Sequence, residues 1–193
     1  MIWNIPNLLT LFRIAAAGLY LFLALQGMWR EAFWVFTVAA VTDLVDGAIA
    51  RFFHQQTPVG AFLDPAADKL LMFFGFLTLA VARAIPLPLF FVVLARDLMI
   101  TLGVLFLAVR KAPVVFKPLF LSKIATLAQI LFLFGMLASS AGVSDTSSLF
   151  PSWVNFLSRL LPILGWVVGG LVTVTGIQYF QIGWRISKTH EKN

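Results

Sequence analysis

The chain has 193 residues, of which 61% are hydrophobic and only 11% are charged, and its mean hydropathy is +0.96. This composition excludes an ordinary water-soluble domain and predicts a polytopic membrane protein. The chain has 14 basic and 8 acidic residues, an excess that suits contact with anionic lipid headgroups and not with nucleic acid. It has no cysteine, which excludes disulfides, zinc-thiolate sites and thiol catalysis.

Six apolar windows follow one another along the chain, each about as long as the twenty-residue helix that crosses a ~30 Å hydrocarbon core. We therefore predict an all-α, integral membrane fold with six transmembrane helices, at residues 8–25, 32–51, 60–82, 87–109, 119–141 and 160–184. Trp3 and Pro6 precede the first window, and this segment is predicted to form an N-terminal interfacial helix. No repeat or second domain is evident, so one membrane domain is expected over residues 1–193.

Basic residues at the ends of the windows predict the orientation, because cytoplasmic ends are enriched in lysine and arginine. With the N-terminus inside, seven basic residues lie at inner ends and three at outer ends: Arg51, Arg110, Lys111, Lys117, Arg185, Lys188 and Lys192 against Arg30, Arg83 and Arg159. Both termini, and the loop between the second and third windows, are therefore expected in the cytoplasm. A bacterial inner membrane is expected, since no Arg/Ser-rich transit peptide precedes the first window.

Four aspartates lie in the segment DLVDGAIARFFHQQTPVGAFLDPAAD, which covers residues 43–68. Asp43 and Asp46 are three residues apart and Asp64 and Asp68 are four apart, so each pair shares one helix face. An aspartate inside a membrane helix costs about 2.5 to 3.5 kcal/mol, so four of them require cations, water or a function. Carboxylates favour hard divalent cations such as Mg²⁺, Mn²⁺ or Ca²⁺. The segment therefore predicts a metal site.

The small residues around the aspartates refine this prediction. Gly47 and Ala50 leave a groove beside the acidic face, where a planar base or a phosphate can approach closely. Arg51 can make a bidentate contact to a phosphate, and Pro58 and Gly60 mark the turn between the two helices. These residues indicate a site for a phosphorylated ligand.

The full pattern, D-x2-D-G-x2-A-R-x8-G-x3-D-x3-D, has eight fixed positions and resembles the signature of the CDP-alcohol phosphatidyltransferases. The resemblance implies transfer of a phosphatidyl group from CDP-diacylglycerol to an acceptor hydroxyl, with release of CMP. It implies two Mg²⁺ or Mn²⁺ ions held by Asp43, Asp46, Asp64 and Asp68, with Asp68 as the general base. The CDP and pyrophosphate site would comprise Asp43, Gly47, Ala50, Arg51 and Gly60.

Three other segments bear on which acceptor the enzyme uses. NIPNLLTLFR, at residues 4–13, resembles both phosphatidylglycerophosphate synthases and eukaryotic-type cardiolipin synthases. The glycerophosphate-using enzymes favour Arg-Glu in the fourth span and G-K-x-K-T-x-x-Q in the fifth, where this chain has Asp97, Ser122 and Ala125. A dianionic glycerol phosphate requires more basic donors than a phosphodiester, so these departures lean away from it. The K-P-x-x-x-S-K-x-x-T-x-x-Q run at residues 117–129 resembles cardiolipin synthases instead, which implies phosphatidylglycerol as acceptor, with glycerol 3-phosphate as the alternative. The candidate acceptor-binding residues are Arg96, Lys123, Thr126, Gln129 and Arg13.

Several alternatives stay open at this point. Arg96 and Asp97 can form a structural ion pair, and Arg13 can bind a lipid phosphate or extend to the membrane interface. Gly165 and Gly169, in GWVVG, fit a helix-packing face or a dimer face, and the family resemblance implies a homodimer. A small membrane transporter with intramembrane aspartates is the alternative from another class, although half of the acidic residues lie in one helix-turn-helix.

Overall fold

The computed structural model describes residues 5–53, 58–109, 120–142 and 153–190, and side chains at 10–42, 67–103, 120–142 and 159–182. Over these residues the chain forms six helices: α1 (Ile5–Leu25), α2 (Trp29–Phe53), α3 (Pro58–Val81), α4 (Leu87–Val109), α5 (Phe120–Ser140) and α6 (Trp153–His190). The all-α prediction is confirmed. Residues 1–4 of the predicted interfacial helix lie outside the described residues, and from Ile5 the chain is already part of α1.

The lengths of the helices agree with the thickness of a bilayer. Helices α1 to α5 have 21 to 25 residues, which is roughly 31 to 38 Å at a rise of about 1.5 Å per residue. Among the described side chains, two segments are long and apolar enough to cross a membrane, Phe120–Ser140 and Arg159–Ile182. A further apolar helical segment, Thr10–Leu25, is shorter.

The turns after α1 and α3 end the two helices in the same way. Met28 N–H bonds to Leu23 C=O, and Ala84 N–H bonds to Leu79 C=O, which is the Schellman arrangement of a helix C-terminus. This arrangement requires a left-handed residue, which is Gly27 (φ 78°) after α1 and Arg83 (φ 58°) after α3. Arg83 carries a Cβ in this conformation, so the second turn is the more strained one.

The chain forms two compact units. The first comprises Met1–Ala84 and Leu133–Ser158, and in it α1 packs against α2 and α3. Its core combines small residues, such as Ala17 and Ala39, with the rings of Tyr20 and Phe36, whose centroids lie 5.5 Å apart. Small residues allow membrane helices to approach closely, so these alanines explain the tight packing around α1.

Two buried polar contacts join α1 to α3 and show the relative direction of these helices. Arg13 contacts Asp68, and Tyr20 donates its hydroxyl to Thr78 Oγ1 at 2.5 Å, because the Thr78 hydroxyl itself donates to carbonyls of its own helix. Residue numbers rise along both helices from the first contact to the second. Helices α1 and α3 are therefore parallel.

Gly75 marks a close approach of α3 to the C-terminal part of α5. A Cβ added to Gly75 would lie 2.8 Å from Cδ2 of Leu133, a fully buried side chain. We expect Gly75→Ala to destabilise the protein by about 1–3 kcal/mol, because the leucine must move within a packed core. Thermal unfolding in detergent measures the change. Gly18→Ala is the matched control, since nothing lies within 4 Å of that position, and an equal melting temperature for both variants would contradict the prediction.

The second unit comprises Ile85–Phe132 and Arg159–Asn193. On α6, the buried positions follow a spacing of four, three, four and three residues: Leu161, Gly165, Val168, Val172 and Thr175. This is the narrow stripe of a helix that packs on one side only. The other faces carry exposed apolar side chains, including Trp166 at 81% exposure. A helix that is apolar on its exposed faces suits a lipid environment.

The GWVVG segment of α6 lies in this stripe. A Cβ on Gly165 would lie 3.3 Å from the Phe132 ring, and one on Gly169 would lie 3.4 Å from Leu89. Farther along, Gly176 faces Met99 and the stem of Arg96. The two glycines therefore form a packing face within one chain, and the order of these contacts makes α4 and α6 parallel.

Candidate active site

The signature occupies two consecutive helices. Asp43 and Asp46 lie three positions apart within α2, and Asp64 and Asp68 lie four apart within α3, so the helical backbone that their spacing predicted is present. Asp68 is the one signature residue whose side chain is described. The other seven lie outside the described side chains: Asp43, Asp46, Gly47, Ala50, Arg51, Gly60 and Asp64.

Asp68 is paired with an arginine from the first helix. Arg13 Nη1 donates to Asp68 Oδ1 at 2.9 Å, across 55 positions of sequence. The Arg13 side chain is 2% exposed and the Asp68 side chain is 44% exposed. The arginine is thus enclosed by protein and does not extend to a surface, while the carboxylate stays accessible to a ligand. Charge-assisted bonds of this kind are short and strongly directional.

Arg96 is the centre of a buried polar cluster in the second unit. Its Nη1 donates to Asp97 Oδ1 at 2.7 Å, and its Nη2 donates to Ser122 Oγ at 2.6 Å on α5. Longer contacts of 3.4 Å lead from both nitrogens to Thr126 Oγ1. The ion pair that the sequence left as an alternative for Arg96 and Asp97 is therefore present. The guanidinium also holds α4 and α5 together.

Three buried polar atoms around this unit have no hydrogen-bond partner within the described part of the chain. They are Arg96 Nε on α4, Gln129 Nε2 on α5 and Gln178 Oε1 on α6. A buried donor without a partner costs about 1–3 kcal/mol, which is a reason to expect a ligand or ordered water in a functional protein. Two of the three atoms are nitrogen donors, and such donors suit an oxygen-rich, anionic group.

The three residues on α5 that are predicted to bind the acceptor differ in how exposed their side chains are. Lys123 is exposed, Thr126 is exposed but bonded to Ser122 C=O, and Gln129 is 1% exposed. At about 100° per residue, Lys123 and Gln129 lie roughly 120° apart around the helix. The three residues therefore do not form one narrow stripe, and Gln129 is the member enclosed by protein.

Two polar residues of this unit, Ser122 and Gln178, were not identified from the sequence as candidate site residues. Ser122 was noted only as a departure from glycine, and its hydroxyl is the closest partner of Arg96. Gln178 was not considered, although an amide within an apolar helix is expensive enough to suggest a buried polar contact. Both lie on helix faces that could be recognised only once the neighbouring helices were known.

The donor atoms that the signature offers to a metal ion are carboxylate oxygens. The described side chains contain no group of three or more carboxylates and histidines that could hold one, and three of the four aspartates lie outside them. Asp68, the fourth, presents an accessible carboxylate on the same helix as Asp64. Hard carboxylate oxygens on two successive helices fit Mg²⁺ or Mn²⁺ and not a thiophilic metal.

The chain is all-helical and carries paired aspartates on two consecutive apolar helices. The CDP-alcohol phosphatidyltransferase profile matches residues 3–174, and the chain belongs to this family.

A rat protein named cardiolipin synthase (CMP-forming) is 35% identical over 71% of this chain, and the chain spans about half of that relative's length, 51%. The CDP-diacylglycerol--glycerol-3-phosphate 3-phosphatidyltransferase of Aquifex aeolicus is 32% identical over 95% of this chain and 97% of its own. The Escherichia coli K12 protein of that name is 49% identical over 37% of this chain and 41% of its own.

Proposed function

We propose that the protein is a membrane phosphatidyltransferase of phospholipid biosynthesis that uses CDP-diacylglycerol. An acceptor hydroxyl oxygen attacks the phosphorus next to diacylglycerol, the bond from that phosphorus to the bridging pyrophosphate oxygen breaks, and CMP leaves. The observation that carries the proposal is the complete eight-residue signature on α2 and α3, in a chain that the family profile matches over residues 3–174.

The four aspartates are assigned two roles, metal binding and proton transfer. Asp43, Asp46, Asp64 and Asp68 are proposed to hold two Mg²⁺ or Mn²⁺ ions, which neutralise charge on the pyrophosphate when bound. Asp68 is proposed to accept the proton of the acceptor hydroxyl, because its carboxylate is accessible to a ligand. Gly47, Ala50, Arg51 and Gly60 are proposed to shape the cytidine and pyrophosphate site together with Asp43.

We propose that all six helices cross the membrane, with both termini and the signature at the cytoplasmic face of a bacterial inner membrane. Helix lengths, the apolar exposed faces and the parallel pairs α1/α3 and α4/α6 support alternating crossings. A single domain and a homodimer are retained as predictions. If a dimer forms, it uses other surfaces than Gly165 and Gly169, which pack within the chain.

The acceptor is proposed to be phosphatidylglycerol, which makes the product cardiolipin. Arg96 already donates to Asp97 and Ser122, so little of its terminal hydrogen-bonding capacity remains for a ligand. Gln129 Nε2 is a neutral donor and Arg96 Nε a single one, and among the described side chains of this unit Arg96 is the buried cation. Such a site suits the monoanionic phosphodiester of a lipid better than a dianionic phosphate monoester. Lys123 and Thr126 lie nearer the exposed side of α5 and would contact the glycerol headgroup.

Glycerol 3-phosphate is the second candidate acceptor. It is favoured by the similarity to the Aquifex aeolicus protein, which extends over 95% of this chain. The two acceptors give different products, a lipid with two phosphates and four acyl chains or a lipid with a terminal phosphate monoester.

An assay of purified protein in mixed micelles tests the proposal. CDP-diacylglycerol, Mn²⁺ or Mg²⁺ and each acceptor in turn are expected to release CMP, fastest with phosphatidylglycerol, and a chelator is expected to stop the release. Mass spectrometry of the lipid identifies the product. Faster release with glycerol 3-phosphate would replace the cardiolipin assignment, and no CMP with any acceptor would favour a transporter.

A further inference from the structure

The Arg13–Asp68 pair points to a role for the first helix that differs from binding the acceptor. Arg13 is fully buried and directs Nη1 onto Oδ1 of the residue proposed as base. We propose that Arg13 is a positioning residue, which fixes the direction of the Asp68 carboxylate and does not itself touch a substrate. The inference rests on the proposed function, since it concerns the base of that reaction.

The geometry explains why such a residue is useful. An aspartate carboxylate turns easily about its last side-chain torsion, and this one is 44% exposed, so packing alone does not hold it. A charge-assisted bond at 2.9 Å from an enclosed arginine fixes the position of one oxygen. A general base must lie within hydrogen-bond reach of the proton that it removes, and small misplacements reduce rates strongly.

A purely structural role for Arg13 is less well supported. Helices α1 and α3 are already joined by the buried Tyr20–Thr78 hydrogen bond, two turns along α1. That contact can hold the two helices together, and it is far from any predicted catalytic group. The contribution that is specific to Arg13 is therefore the orientation of Asp68, and not the attachment of α1 to α3. Tyr20 supplies the matched control.

The decisive experiment compares turnover and affinity in Arg13 variants with the Tyr20 control. Arg13→Met is expected to lower kcat by about 10- to 100-fold, with the KM values for CDP-diacylglycerol and acceptor within about threefold of wild type. Arg13→Lys, which keeps a donor and the charge, is expected to restore part of kcat. Tyr20→Phe is expected to lower the melting temperature and leave kcat unchanged. In Arg13→Met/Asp68→Asn, the residual rate is expected to equal that of Asp68→Asn alone.

The outcomes separate this inference from the proposed function. No CMP release by wild type overturns the proposed function, whatever the variants do. An active wild type with unchanged kcat in Arg13→Met overturns the positioning role alone. A raised acceptor KM at constant kcat would make Arg13 an acceptor-binding residue instead. Equal kcat losses in Arg13→Met and Tyr20→Phe, in step with their melting temperatures, would show that the contact is only structural.

Discussion

Asp68→Asn is expected to abolish turnover, with a loss of at least about 100-fold in kcat for CMP release. Asparagine keeps the shape of aspartate but cannot accept the proton of the acceptor hydroxyl. The side chain is accessible and contacts Arg13, so the change alters the proposed base and metal ligand and not a packing element. The measurement is a steady-state rate with saturating CDP-diacylglycerol and phosphatidylglycerol.

A matched control for this substitution lies in the second unit. Asp97 is also an arginine-paired aspartate in an apolar helix, with a 2.7 Å bond to Arg96. Asp97→Asn is expected to keep kcat within about threefold of wild type, because no proton transfer is assigned to it. Retained activity in Asp68→Asn would remove this residue as the base. A similar collapse in both variants would indicate that the assay reports loss of ion pairs and not loss of catalysis.

Asp68→Asn is also expected to lower stability. Exposed ion pairs contribute about 0–1 kcal/mol, whereas breaking a fully buried pair costs about 3–5 kcal/mol. This pair has one enclosed and one half-exposed partner, so the loss is expected to lie between these limits. Activity is therefore best compared at a temperature at which both proteins are folded, as judged by circular dichroism.

Arg96→Met is expected to raise the KM for the acceptor by about 10- to 100-fold, the range of a lost hydrogen bond to a charged group. Methionine keeps much of the stem that packs against Gly176 but removes every donor. The KM for CDP-diacylglycerol is expected to stay near the wild-type value. Arg96→Lys keeps the charge but not the fork of donors, and it is expected to recover only part of the affinity.

Ser122→Ala separates ligand binding from helix packing at this position. It removes the 2.6 Å contact to Nη2 and leaves the guanidinium in place, so the arginine gains capacity for a ligand. We expect use of glycerol 3-phosphate to rise relative to phosphatidylglycerol in this variant. An unchanged acceptor preference, together with an unchanged acceptor KM in Arg96→Met, would assign the cluster to structure alone.

The fold was largely predictable because apolar windows and their breaks are local properties of the sequence. Helix α4 has the predicted bounds, residues 87–109, and the all-helical class is confirmed. Helix α6 is the main difference, since it begins at Trp153 and not at residue 160 and ends at His190 and not at residue 184. Pro162 lies inside this helix, although an interior proline removes one backbone hydrogen bond.

The site was predictable only where it depends on spacing along one helix. The Asp64 and Asp68 pair follows from a spacing of four residues, and α3 contains both. The partner of Asp68 lies 55 residues away, so it depends on the packing of α1 against α3, which no local pattern records. Ser122 was overlooked for the same reason, because its role requires Arg96 on another helix.

The Arg13–Asp68 pair also affects how fragments of such proteins are recognised. A shortened chain that begins after residue 13 would still contain every position of the aspartate signature. A search based on that signature alone would count the fragment as complete, although it lacks the arginine that contacts Asp68. In this chain the arginine lies 30 residues before Asp43, so a fragment of it can be recognised by the loss of that position.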